Sequence, residues 1–330
     1  MNIAIFFLLS SITGVLEVGA VIYAILQDFS VVQVLLLVLA YQLGCFFPTN
    51  VAVRKVCLIA LGLSSVVLAL MLSLFPSFWL MMLSILFVSP CLQTARSLQK
   101  STASTGAKRL FRIIGFGLAP LFSPLLLLAI SITTLVIVII QKNDNKNRLQ
   151  FSALNSDYAI MVVHQMHYFS YAYIVLIIAS NLDNFHGFLT ALIFVLGWIT
   201  YTSTQYILRK KKYYTYLICG HLLLFALISG IAIVSSETIK VILWILTGFG
   251  GGTVFCIKEI LKSKQSYDNH TLESSENYGH ILGVLCSIIL FSIFGTLNAP
   301  IYFAAICAAS TALLAAFLNK NQVKEVYIND

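Results

Sequence analysis

The stretch Leu110–Ile140, LFRIIGFGLAPLFSPLLLLAISITTLVIVII, decides how this chain is organised. It reads either as one long helix or as a tight hairpin of two short ones. Ser123-Pro124 stands in its middle, and a proline there removes a backbone donor and favours a turn. The flanking charge arbitrates. Basic residues cluster from Arg96 to Arg112 and again from Lys142 to Arg148. A single crossing would put these clusters on opposite faces of a membrane, and two crossings put them on the same face. Short cytoplasmic loops collect Lys and Arg, so the hairpin is favoured.

Working outward, the composition sets the class. The 330 residues are 59% hydrophobic and 10% charged, with a mean hydropathy of +0.94. Water-soluble domains carry about 25% charged residues, so this chain needs lipid as part of its solvent. A helix crosses a bilayer with about 20 apolar residues. That length predicts spans near 3–26, 30–48, 53–73, 78–97, 108–122, 124–141, 157–180, 187–208, 213–235, 238–260, 279–296 and 299–318. Met1-Asn2 has no basic n-region and no small-residue cleavage site follows, so the first segment is read as a retained span.

With twelve spans, nineteen of the 20 Lys and Arg residues fall on one side, and Lys240 alone falls opposite. Both termini then lie in the cytoplasm. The fold class expected is all-α integral membrane, with twelve transmembrane helices as two six-helix bundles. Residues 1–141 form the N-terminal bundle, 142–155 a cytoplasmic linker, 156–320 the C-terminal bundle and 321–330 a cytoplasmic tail. The net charge of +8 belongs to short loop clusters, so topology explains it better than nucleic-acid binding. The seven cysteines form no C-x-x-C pair and read as small lipid- or core-facing residues. Residues 263–278 read as a polar loop. Its Asn269-His270-Thr271 is discounted as a glycosylation acceptor, because the loop falls on the cytoplasmic side.

Two groups of intramembrane polar residues stand out. Glu17 is the one acid deep in a span, and Ser10, Thr13 and Glu17 share a helix face. An unpaired carboxylate in hydrocarbon is costly, so this face should line a cavity or meet a partner. The expected role is reversible protonation or cation binding. The plainer alternative is a structural hydrogen bond to a neighbouring helix. In the seventh predicted span, His164, His167, Tyr168 and Tyr171 recur at helical spacing. Imidazoles relay protons near neutral pH, bind transition metals or hydrogen-bond anions. Two histidines and one distant glutamate are an incomplete metal signature, so no metal and no cofactor are expected. Proton coupling is assigned to Glu17, His164 and His167. Substrate contact is assigned to those three with Ser10, Thr13, Gln42, Gln93, Tyr168 and Tyr171. Arg96 reads as snorkelling, His221 and His280 as interfacial, and Lys258-Glu259 as an ion pair at a helix end. No Walker sequence, nucleophile elbow, zincin motif or dinucleotide fingerprint is present, and Gly248 to Gly252 lacks the strand and the G-K-[ST] of a phosphate loop. The chain is therefore not expected to be an enzyme.

Six plus six spans, a central cytoplasmic linker and cytoplasmic ends together resemble the major facilitator superfamily. The resemblance is architectural and covers essentially the whole chain. Gly115-Phe-Gly117-Leu-Ala119-Pro120 is similar to that family's exporter motif G-x-x-x-G-P, with Ala119 at the second glycine. The loop Gly44 to Lys55 departs from the family pattern in lacking its aspartate. The resemblance implies two halves rocking about a central site and a gating role for Gly115, Ala119 and Pro120. It also sets the first and seventh helices as counterparts. The expected function is a secondary active transporter in the cell membrane, moving a small solute by alternating access and proton-coupled efflux. Its partners would be the solute, protons or another coupling ion, and the lipid bilayer. It reads as a monomer that binds no nucleic acid. Three rivals stay open: a ten-span drug/metabolite exporter type, a non-transporting receptor or scaffold, and a lipid-acting membrane enzyme.

Overall fold

Among the described residues all regular structure is helical. The computed structural model describes residues 2–50, 54–98, 105–140, 158–183, 186–208, 212–263 and 267–329. The first span is α1 (Asn2–Gly14), a π-helical turn (Val15–Gly19) and α2 (Ala20–Leu26). Then follow α3 (Val31–Asn50), α4 (Lys55–Leu74), α5 (Phe78–Leu98), α6 (Thr105–Gly117), a 3-10 turn (Ala119–Leu121) and α7 (Pro124–Ile140). The remainder is α8 (Ala159–Ser180), α9 (Phe188–Ile207), α10 (Tyr213–Ile233), α11 (Glu237–Gly251), α12 (Val254–Lys262), α13 (Asn269–Phe294) and α14 (Asn298–Asn329).

Ten runs among the described residues are long and apolar enough to cross a membrane, from Val31–Pro48 at 18 residues to Asn269–Phe294 at 26. The protein is thus a multi-pass all-α membrane protein. The stretch Leu110–Ile140 is not one helix. It breaks after Gly117, makes a single 3-10 turn, and resumes at Pro124, where the missing N–H costs nothing in a first helical turn. Its second part, α7, is a shorter apolar helix of 17 residues. The linker 142–155 lies outside the described residues.

Helix α4 shows the solvent these helices expect. Its buried stripe is Leu58, Gly62, Ser65, Ala69 and Leu72, spaced at helical intervals and dominated by small residues. Its exposed side carries Val56, Leu63, Val67, Leu70, Met71 and Leu74. The larger apolar groups face outward, the reverse of a water-soluble helix. In lipid the outer face has no hydrophobic penalty, and association rests on close packing of small residues and on interhelical hydrogen bonds. Ser65 supplies one such knot. Its hydroxyl lies 2.8 Å from that of Ser131 on α7 and 3.1 Å from the Ser84 carbonyl on α5.

The contacts divide the chain into two compact units, and each is described by itself. The first comprises Met1–Ser152 and Ser180–Val195, the second Ala153–Ala179 and Leu196–Asp330. In the first unit glycines bring backbones together. A Cβ on Gly44 of α3 would lie 2.6 Å from Ser89 Cβ and 2.9 Å from the Leu86 carbonyl of α5. In the second unit the same device seats α13 on α8. A Cβ on Gly279 would meet the Val162 carbonyl at 2.5 Å, and one on Gly283 the Met166 carbonyl at 2.7 Å.

One sequence boundary is corrected. The polar loop over 263–278 is shorter, because α13 begins at Asn269. Asp268 caps it, accepting from the backbone N–H of Thr271 at 2.8 Å and of His270 at 3.2 Å. The first turns of α13 are polar, so hydropathy alone hides them. Gly295, at φ 66°, ends the helix in the left-handed conformation that glycine adopts without a Cβ penalty.

Candidate functional site

In the first unit the site grows from the π-helical turn. Val15–Gly19 carries Glu17 at its centre, and all five of its residues are buried. A π-turn widens the helix and frees backbone groups from the regular ladder, which is why such turns concentrate at functional positions. The Glu17 side chain is 2% exposed. Its Oε2 accepts from Arg112 Nη2 at 2.5 Å and from Arg112 Nε at 3.2 Å. Arg112 stands on α6 and keeps 27% of its side chain exposed. It also lies over the Phe116 ring, 5.7 Å from the centroid.

Small residues make this pair possible. A Cβ on Gly14 would come 2.5 Å from the Arg112 carbonyl, and one on Gly115 would collide with the Ser11 carbonyl. Helices α1 and α6 therefore meet backbone to backbone around Glu17. One turn further on, a Cβ on Gly19 would meet Phe122 Cβ at 2.7 Å and the Ala119 carbonyl at 2.9 Å. The broken segment between α6 and α7 thus packs on the first span beside the carboxylate. Of the motif residues, Gly115 provides close approach, while Ala119 and Pro120 form the break itself.

The other residues assigned to this region are placed as follows. Ser10 and Gln42 are buried, and Gln93 is half-buried on α5. The Thr13 hydroxyl donates to its own helix at the Leu9 carbonyl, 2.7 Å away. Tyr41 and Cys45 of α3 and Arg96 of α5 lie within electrostatic reach of the Glu17–Arg112 pair. Arg112 corrects the sequence reading, which counted it among loop cations. The pair spans 95 residues of sequence, and no helix periodicity reports it.

The second unit holds three histidines. His164 and His167 of α8 are joined by His221 of α10, and all three are at most 2% exposed. One ligand atom from each lies within 4.8 Å of the others. His164 Nδ1 is 2.8 Å from His221 Nε2. His221 Nδ1 is 2.9 Å from the Leu217 carbonyl. A carbonyl only accepts, so His221 carries its proton on Nδ1 and directs the Nε2 lone pair into the cluster. His164 Nδ1–H is then the donor of the bond between the two rings. His167 Nδ1 is buried with no hydrogen-bond partner. The His167 ring lies 6.1 Å from Tyr171, whose hydroxyl donates to Thr247 Oγ1 at 2.8 Å. Tyr168 is half-buried and packs edge-on against Phe169.

His221 is the residue that sequence reasoning misplaced. The sequence reading places it at an interface near a span end, yet it is the ninth of 21 residues in α10 and fully buried. Gly220 beside it lets α10 pack closely on its neighbour. A Cβ there would strike Thr253, at the Gly252-Thr253 interruption between α11 and α12. His280 is half-buried, 3.2 Å from Gln165 Oε1 and ring-packed on Phe169. Lys258 does not pair with Glu259. It pairs with Glu276 of α13 at 2.5 Å, while Glu259 pairs with Lys262 at 2.7 Å. The late start expected for α13 hid Glu276, because that reading left it in a loop.

The geometry defines a multi-pass helical membrane protein with a buried ion pair in one unit and a buried imidazole cluster in the other. No known protein-family model matches the chain, and no curated protein is significantly similar to it.

Proposed function

We propose that the protein is a secondary active transporter, moving a small solute across the cell membrane by alternating access with proton coupling. The observation that supports this most is the Glu17–Arg112 pair, seated on a π-helical turn against a broken helix. Irregular backbone at membrane depth is tolerated where it is buried in protein or lines a water-filled cavity. Interrupted helices with ionisable groups beside them are the usual substrate and ion sites of transporters.

The coupling step follows from the charges. While Glu17 is ionised it holds Arg112. Protonation neutralises the carboxylate and frees the partly exposed guanidinium. The same event weakens the hold of α6 on the first span, so proton uptake and helix movement are linked. His164, His167, Tyr168 and Tyr171 contact solute or pass protons in this reading. The twelve-span arrangement in two six-helix bundles with cytoplasmic ends belongs to the same proposal. It draws on the loop charges and on the break at Gly117–Pro124.

The test is reconstitution in sealed vesicles. Solutes that raise the thermal stability of the purified protein are selected first, because a ligand of the folded state raises its apparent stability. Their transport is then followed with a pH-sensitive dye under an imposed gradient. Glu17→Gln is expected to abolish gradient-driven transport while the protein stays folded and inserted. Undiminished coupled transport by that variant would sink the proposal.

A further inference from the structure

We propose that His164, His167 and His221 form a binding site for a borderline divalent transition-metal ion of the Zn²⁺ class. The donors are three imidazoles from two helices, α8 and α10, and all are buried. Imidazole suits Zn, Cu, Ni and Fe, whereas Mg and Ca demand oxygen ligands. Zn–N bonds of about 2.0–2.1 Å place tetrahedral donors about 3.3 Å apart. Here the donor atoms lie within 4.8 Å of one another, and the shortest pair is 2.8 Å apart. An ion held by all three would draw the donors toward that tetrahedral spacing.

Two further observations point to a ligand. His221 has the outer-shell arrangement of a metal-bound histidine. Its Nδ1–H is fixed by the Leu217 carbonyl, and the Thr253 hydroxyl oxygen stands 3.4 Å from the same nitrogen. Thr253 gives its own proton to the Gly250 carbonyl at 2.6 Å, so its lone pair faces the imidazole. Such partners orient the ring and raise the basicity of the free nitrogen. His167 Nδ1, by contrast, is buried and unpartnered. A buried polar atom without a partner is costly, and an ion bound there would satisfy it. When the ion binds, the His164 proton moves from Nδ1 to Nε2, and the lone pair thus exposed on Nδ1 becomes a ligand. Three neutral ligands leave a fourth position open for water or an anion.

Zn²⁺ binding is measured on the full chain, purified in detergent and stripped with chelator. The measurement needs no gradient, so it does not depend on the transport reading and can fail separately from it. Calorimetric titration should show about one Zn²⁺ per chain, undisturbed by excess Mg²⁺. His167→Gln and His221→Gln should each weaken binding by at least the roughly 100-fold that loss of an outer-shell partner can reach. Because a misfolded variant would also lose binding, the unaltered protein is loaded with Cu²⁺ and its pulsed EPR spectrum recorded. Coupling to imidazole nitrogens is expected. Absence of Zn²⁺ uptake, displacement by Mg²⁺, retention of binding when all three histidines are replaced, or a spectrum without imidazole coupling would each overturn the assignment.

Discussion

The Glu17–Arg112 pair and the His164–His167–His221 cluster are both buried, yet they hold their polarity by different means. The first unit stores it as opposite charges, one of which is partly exposed. The second stores it as neutral rings that share hydrogen bonds and leave one nitrogen unpartnered. The charge pair depends above all on Arg112, because Glu17 without it is a buried, uncompensated ion. A ring cluster tolerates partial loss, since a neutral imidazole left alone costs only a hydrogen bond. The first unit should therefore be brittle and the second forgiving.

The largest expected effect breaks the pair from one side. Arg112→Ala should destabilise the protein by about 3 kcal/mol, the low end of what breaking a buried pair costs, because Arg112 is partly exposed. Adding Glu17→Gln should restore most of that loss in thermal unfolding. An equal loss in the double variant would show that packing, not charge, sets the brittleness. Next comes Gly115→Ala, which forces α6 away from the Ser11 carbonyl. It should cost about 2 kcal/mol and also lower the Glu17–Arg112 coupling energy in a double-mutant cycle.

In the second unit His221→Leu should cost less, roughly 1–2 kcal/mol, for the donor left on His164. A loss as large as that of Arg112→Ala would erase the contrast between the units. The smallest effect lies outside the spans. Asp268→Ala should cost about 1 kcal/mol through loss of the α13 cap. The Thr271 hydroxyl and neighbouring backbone N–H groups hold the Asp268 carboxyl below its ordinary range. A depressed folded-state value means the cap stabilises fully above the unfolded value of about 3.9 and fades as the pH falls through the folded one. The difference between wild type and Asp268→Ala should thus shrink in acid, as read by proteolysis or hydrogen exchange at the start of α13.

Much of the helical plan was legible because hydropathy is a local property. Spans of the right length and the turn at Ser123-Pro124 follow from residues that are neighbours in sequence, and the structure shows helices and a break there. Periodicity likewise put Glu17 in a span interior and His164 and His167 on one face. It stopped at the edge of each helix. Arg112 looked like a loop cation and His221 like an interfacial residue, since the sequence says how deep a residue could lie but not what it meets. The start of α13 was missed for a related reason: a polar helical turn capped by Asp268 has no hydropathic signature.

The amino-acid sequence by itself determined that this chain crosses a membrane on apolar helices and that a few polar groups lie inside them, because burial in lipid is decided by each segment's own composition. Tertiary structure decided which of those groups are partners. Gly14 and Gly115 bring Arg112 to Glu17, and Gly220 lets α10 close on Thr253 at the level of His221. Close approach of backbones far apart in sequence, not the pattern along any one helix, turns isolated polar residues into sites.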